Sequence, residues 1–189
     1  RYDGAPGQES DSALLQKGQT WAADIAALRQ QLTDYLGTTA SGVEILVTEN
    51  NSVYSNPGKQ TTSLVNALYL ADSVGNLLKT EANALMWWDL RNGTASGNNN
   101  ASSLYGWRQF GDYGILSAPA TGGSSTAYPP YYALKLLSKF ARGGDSIVSA
   151  TTDTTLLSAF ACKRTDGTLR LLVINKSPTA IQSAAISLS

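Results

Sequence analysis

The chain has 189 residues with 14 basic and 14 acidic side chains, enough length for one good core plus an appendage. Balanced charge without a basic run argues against a nucleic-acid partner or an anionic membrane surface, and no apolar stretch is long enough to span a bilayer. Histidine is absent, which removes serine–histidine and cysteine–histidine catalysis and most imidazole metal sites, so chemistry must rest on carboxylates, tyrosines or arginines.

In chain order, Asp11 to Gly37 carries helical periodicity, with Leu14, Trp21, Ile25, Leu28, Leu32 and Tyr35 on one face. Gly18 is a candidate break in that segment and Gly37 a C-terminal stop. Val43 to Thr48 is a short strand without strict polar alternation, the habit of a parallel sheet covered on both faces. After Asn56-Pro57-Gly58, a second helix carries Leu64, Leu68, Ala71, Val74 and Leu78, with Thr61 or Thr62 as its cap. The run ALMWWDL, within a strand predicted over Ala82 to Leu90, leads into a long Gly/Asn/Ser loop, and Tyr128 to Arg142 forms a third helix opened by two prolines.

The remainder changes character. TLLSAFACKR, the turn TDG and TLRLLVINKS form a hairpin signal, and AIQSAAISLS reads as a further strand. Cys162 lies in an apolar alternating run, where it reads as a buried small hydrophobe. The expected organisation is a β/α portion over residues 1–143 and part of an antiparallel β-sandwich over 144–189.

Glu49 follows a strand directly, the end at which parallel β/α folds carry their sites. Trp87 and Trp88 stand near the end of the next strand, so the carboxylate is expected beside an aromatic platform. That pairing suits a sugar, whose ring offers C–H faces to aromatics and hydroxyls to polar groups. Strand geometry requires one tryptophan of the pair to face the helices. Asn50 and Asn51 are expected to begin the substrate-side loop, with Asn50 in contact with the sugar, and Trp107, Tyr105 and Tyr113 to line its rim. Glu44 and Glu81 fall at strand beginnings, where residues serve stability, and Asp89 and Arg91 are expected to pair with each other or with the loop.

Val47-Thr48-Glu49, WWDL and the LLVINKS tail together resemble the C-terminal half of a clan A retaining glycoside hydrolase. The resemblance implies the strand-six-to-eight part of a TIM-type (β/α) barrel followed by part of a β-sandwich. It implies Glu49 as nucleophile, Trp88 as the floor of the cleaved-sugar subsite, and Tyr2 of RYDG as the tyrosine that hydrogen-bonds the nucleophile. No cofactor and no metal follow from it. The substrate class is plant-type polysaccharide (arabinoxylan, xylan or β-glucan), and a secreted location is expected. The clan's Asn-Glu acid/base pair has no counterpart in the chain. With a start at Arg1 rather than methionine, this leads to the expectation of a processed or truncated product completed by a second chain carrying the N-terminal half. The alternative is a non-catalytic carbohydrate-binding or assembly module.

Overall fold

The computed structural model describes residues 1–96, 110–119 and 122–187. It is a mixed α/β structure that divides into two compact units, Arg1–Lys139 and Phe140–Ser189.

The first unit is built on a three-stranded parallel sheet. Strand β1 (Tyr2–Gly4) and strand β3 (Ala84–Trp87) flank β2 (Leu46–Val53), with Tyr2 opposite Asn51 and Val47 opposite Leu85. Helices α1 (Asp11–Lys17) and α2 (Trp21–Leu36) are joined through a 3-10 turn (Gly18–Thr20). Gly18 is required there because a Cβ would lie 2.3 Å from the carboxylate of Asp72, on helix α3 (Leu64–Leu77). Ser10 caps α1 by accepting from the Ala13 amide, and Gly37 ends α2 with φ +59°, a left-handed conformation that glycine adopts without a Cβ penalty.

The helices cover one face of the sheet through two clusters. Leu14, Leu15, Val65 and Tyr69 form one, with Trp87 packed against it; Trp21, Ile25, Ile45 and Leu77 form the other, with Val47 and Leu85 against it. Burying each such aliphatic side chain contributes about 1.5–3 kcal/mol. The apolar stripe expected along α2 is buried only in its first half: Leu28 is 45% exposed and Tyr35 88%. The helix runs on beyond the residues that its N-terminal turns pack against, so periodicity alone overstates its contact.

Several expected boundaries move. Strand β2 continues through Asn50, Asn51 and Ser52 to Val53 instead of stopping at Thr48. The cap of α3 is Ser63, which accepts from the Asn66 amide; Thr61 is buried, its hydroxyl bonding Gly58 O and the Asp112 amide. Helix α4 (Pro129–Phe140) matches the third predicted helix within a few residues.

The second unit is a three-stranded antiparallel sheet of β4 (Ser146–Val148), β5 (Leu157–Lys163) and β6 (Leu169–Asn175). Seven residue pairs join β5 to β6 across the turn at Thr165-Asp166-Gly167, where Gly167 has φ +85°. Phe160, Cys162, Leu172 and Ile174 lie on one face and are buried; Leu169, Leu171 and Val173 project from the other and are exposed. Strand β4 was not anticipated. Conversely, where a strand was expected over AIQSAAISLS, the described residues 180–187 carry no regular structure.

Candidate active site

The site begins with an irregularity in β2. Val47 pairs with Leu85 and Asn50 with Trp87, so two residues of β2, Thr48 and Glu49, stand opposite the single residue Met86. This is a β-bulge, and it changes which way side chains point. Val47 packs among the residues of the second helix-side cluster, and Asn50 bonds Tyr69 of α3. Three residues apart, the two would lie on opposite faces of a regular strand. The extra residue lets both face the helices, and it leaves Thr48 and Glu49 together on the open face, where both are exposed.

Beside them, β1 delivers Tyr2. Its Oη donates to Glu49 Oε2 at 2.9 Å. Burial, reinforced by this hydrogen bond and the charge of Glu49, holds the Tyr2 phenol well above its ordinary range; Tyr113 and Asp89 add smaller contributions of the same sign. Tyr2 therefore keeps its proton, and its role as donor, well into the alkaline range.

Asn50 and Asn51 are 0% exposed. The expectation that they open a substrate-side loop, with Asn50 touching the sugar, is corrected: both are strand residues turned inward. Asn50 Nδ2 donates to the carbonyl of Arg1 at 2.8 Å and to Tyr69 Oη at 2.9 Å. Tyr69 in turn donates to Asp3 Oδ2 at 2.5 Å, and Asp3 is held by the Arg1 guanidinium. Asn51 Nδ2 donates to the carbonyl of Trp88, while its Oδ1 accepts from the Ser52 amide at 2.7 Å and from Asn66 Nδ2 at 3.1 Å.

The two tryptophans separate as strand alternation requires. Trp87 turns to the helices, 6.1 Å from the Tyr69 ring and packed on the first cluster, so its expected contact with substrate is corrected to a packing role. Trp88, just past β3, is 43% exposed, and its amide donates to Asn50 O at 3.1 Å. The peptide after it, Trp88–Asp89, is cis. Behind the sheet, Trp87 and Asp89 line an otherwise aliphatic cavity of about 270 Å³ with Leu70, Val74 and Leu134.

Asp89 and Arg91 were expected to pair with each other or with the loop; Asp89 Oδ1 is buried without a hydrogen-bond partner among the described residues, and most of the loop lies outside them. Burial and the nearby Asp112 push the Asp89 carboxyl up. Asp112 itself is a buried anchor. Its carboxylate accepts from the Gly93 and Gly114 amides at 3.1 and 2.8 Å and from Tyr128 Oη at 3.3 Å, tying the long segment after β3 to the start of α4.

Of the rim residues, Tyr113 is half-buried, and burial with the nearby Glu9 pushes its phenol up to about 12. Trp107 and Tyr105 lie outside the described residues. Glu44 is exposed, and Glu81 accepts from Arg29 Nε at 2.7 Å, a surface pairing away from Glu49. Among the described residues no group of three or more His, Cys, Asp or Glu side chains is arranged to hold a metal ion, and no helix is long and apolar enough to cross a membrane.

The structure brings Glu49 and Tyr2 into hydrogen-bond contact and leaves Trp88 exposed, while the polar groups Tyr69, Asp3 and Asn66 behind them, and the inward bonding of Asn51, were not anticipated from sequence. Their only signal is a polar residue at a strand or helix position that periodicity reserves for the core.

No protein-family model and no curated protein matches the chain. Among solved structures, the chain is similar to SrfJ from Salmonella typhimurium, with a TM-score of 0.53 and 15% identity over 79% of this chain and 31% of that one. It also aligns with the catalytic domain of GH30 xylanase C from Talaromyces cellulolyticus, with a TM-score of 0.47 and 17% identity over 84% of this chain and 36% of that one. The chain thus spans about a third of the length of each, and the likeness to SrfJ is a likeness of fold.

Proposed function

We propose that the chain is the nucleophile-bearing part of a retaining glycoside hydrolase acting on plant-type polysaccharide. The observation that carries this reading is the Tyr2–Glu49 hydrogen bond, on an open sheet face that a bulge has turned Glu49 to meet. In the proposed reaction a Glu49 oxygen attacks the anomeric carbon as the glycosidic C–O bond breaks, and the leaving oxygen takes a proton from a second carboxyl. Water then displaces Glu49 from the glycosyl ester. Tyr2 fixes the oxygen it bonds and leaves the other free to attack, and Trp88 supplies the flat face beneath the sugar.

Retention requires the two carboxyls about 5–5.5 Å apart. We assign the proton donor to a second chain that completes the sheet as a TIM-type barrel. Two features support that assignment. Among the described residues β1 and β3 are the edges of the sheet, and Leu46 of β2 and Met86 of β3 are each 48% exposed. Parallel sheets are ordinarily covered on both faces. Secretion goes with an enzyme that meets a polymeric substrate.

The test uses activated sugars, because a dinitrophenolate leaves without a proton donor. The protein is incubated with 2,4-dinitrophenyl 2-deoxy-2-fluoro glycosides of xylose, glucose and arabinose, then digested for peptide mass mapping. One fluoroglycosyl group on the Glu49 peptide, absent in Glu49→Gln, is the expected result. A label elsewhere, or one that survives Glu49→Gln, refutes the nucleophile assignment. Oligosaccharide binding without any label moves the chain to the binding-module reading. Native and denaturing mass spectrometry of the source material tests for the second chain.

A further inference from the structure

Two consecutive asparagines follow Glu49, both fully buried, and each reaches a different neighbour of β2. Asn50 donates from its side chain to the carbonyl of Arg1, the residue before Tyr2. Asn51 donates from its side chain to the carbonyl of Trp88. Backbone pairing runs alongside on both sides: the Asn51 amide donates to Arg1 O at 3.3 Å and the Trp88 amide to Asn50 O at 3.1 Å. We propose that Asn50 and Asn51 form a two-sided staple that positions Tyr2 and Trp88 about Glu49, and that they are positioning residues of the glycosidase site. The proposal rests on the functional reading above.

The need for such a device follows from the local geometry. A β-bulge disrupts the ladder where it occurs, so β2 loses regular support at the residue that must be held most firmly. Side-chain amides replace part of that support. Each amide also has a fixed backing: Asn50 donates to Tyr69 Oη, and Asn51 Oδ1 accepts from Asn66 Nδ2, which also donates to Thr61 O at 2.8 Å. Asn51 is held through both its amide nitrogen and its oxygen, whereas Asn50 is held through its nitrogen, its Oδ1 being buried without a hydrogen-bond partner among the described residues. Among the described residues, the hydrogen bonds that hold Trp88 are those at its own amide and carbonyl, both to β2.

A carboxylate at either position keeps the shape and removes the donor. When protonated, the same carboxyl recovers one O–H donor, and burial raises its pKa toward an accessible range. Asn51→Asp is therefore expected to bind xylotetraose, cellotetraose or arabinotetraose roughly tenfold more weakly than wild type at pH 7, and to approach wild type when both are measured at pH 4. Asn51→Ser, which cannot reach the Trp88 carbonyl, loses affinity at both pH values. The indole N–H resonance of Trp88, identified by its loss in Trp88→Phe, moves in Asn51→Asp at pH 7 and returns at pH 4. In Asn50→Asp it is the Tyr2 ring resonances that move, and the Trp88 indole stays.

Wild-type affinity in Asn51→Asp at pH 7 overturns the proposal. A loss that low pH fails to reverse, in protein whose circular dichroism is native, overturns it equally. If wild type binds none of the three sugars, the functional reading fails separately, and the free-protein resonances still decide the staple: an unmoved Trp88 indole in Asn51→Asp and Asn51→Ser refutes it.

Discussion

Tyr69→Phe removes a single oxygen from the centre of this arrangement. The hydroxyl is fully buried, donates to the Asp3 carboxylate at 2.5 Å and accepts from Asn50 Nδ2 at 2.9 Å. A hydrogen bond to a charged group contributes about 1.5–3 kcal/mol net and a neutral one about 0.5–1.5 kcal/mol. Neither partner is orphaned by the change, since Asp3 keeps Arg1 and Asn50 keeps the Arg1 carbonyl. The ring also keeps its packing on Trp87. The lower half of the summed range applies, about 2–3 kcal/mol, which corresponds to a fall in Tm of roughly 6–12 °C for a unit of this size. All four tryptophans belong to the first unit, so intrinsic fluorescence follows its unfolding alone.

A second signature comes from alkali. Burial and the charge of Asp3 raise the folded Tyr69 phenol above the ordinary 10.0. Its contribution is present below that value and is lost as pH rises from there toward the folded pKa, by about 1.4 kcal/mol per pH unit. Tyr69→Phe should reduce the slope of unfolding free energy above pH 10 by that amount, while Tyr2, Tyr113 and Tyr128, also raised, leave a residual slope. A stability loss below about 0.5 kcal/mol, or an alkaline slope equal to wild type, refutes the assignment of this hydroxyl to a supporting network.

Three further outcomes are expected. Trp87→Ala should cost about 3 kcal/mol in urea unfolding, the low end of the aromatic-to-alanine range because the ring is only half-buried, whereas Trp88→Ala should cost less than about 1 kcal/mol; similar losses would contradict their opposite orientations. Gly111→Ala should destabilise the first unit by about 3 kcal/mol or more, because its Cβ would fall 2.0 Å from the backbone oxygen of Pro57; an unchanged melting curve would show that segment to be freely adjustable. In Glu49→Gln, the Tyr2 phenol should titrate lower than in wild type by ¹³C NMR, since one charge and one carboxylate acceptor are gone while burial still holds it above its ordinary value; an unmoved titration would separate Tyr2 from Glu49.

The parts of the fold legible in the sequence were those set by periodicity and punctuation. Gly18 and Gly37 divided and ended the first helical segment as their contacts and dihedral require, and the hairpin around Asp166-Gly167 followed from turn chemistry. What misled was polarity. Asn50 and Asn51 read as the start of a loop because isolated amides rarely belong inside a parallel sheet. They are tolerated there because Arg1, Tyr69, Asn66 and Trp88, up to 49 positions away, supply their partners. The bulge was equally hidden, since residue counts on two strands match or mismatch only once the strands are paired. The contact between Tyr2 and Glu49 was legible from residue types and positions, whereas the network behind it exists only in three dimensions.

The extra residue in β2 makes chain length itself a determinant of the site. Removing one residue between Val47 and Asn50 would restore strict alternation and, in doing so, leave only one of the two positions now facing outward. Deleting Thr48 would leave Glu49 as the single outward position between Val47 and Asn50, whereas deleting Glu49 would leave Thr48 there and remove the carboxylate. One added residue in the same span would instead set three side chains between Val47 and Asn50, so the residue count of this short segment fixes how many groups share the open face with Tyr2, independently of what those groups are.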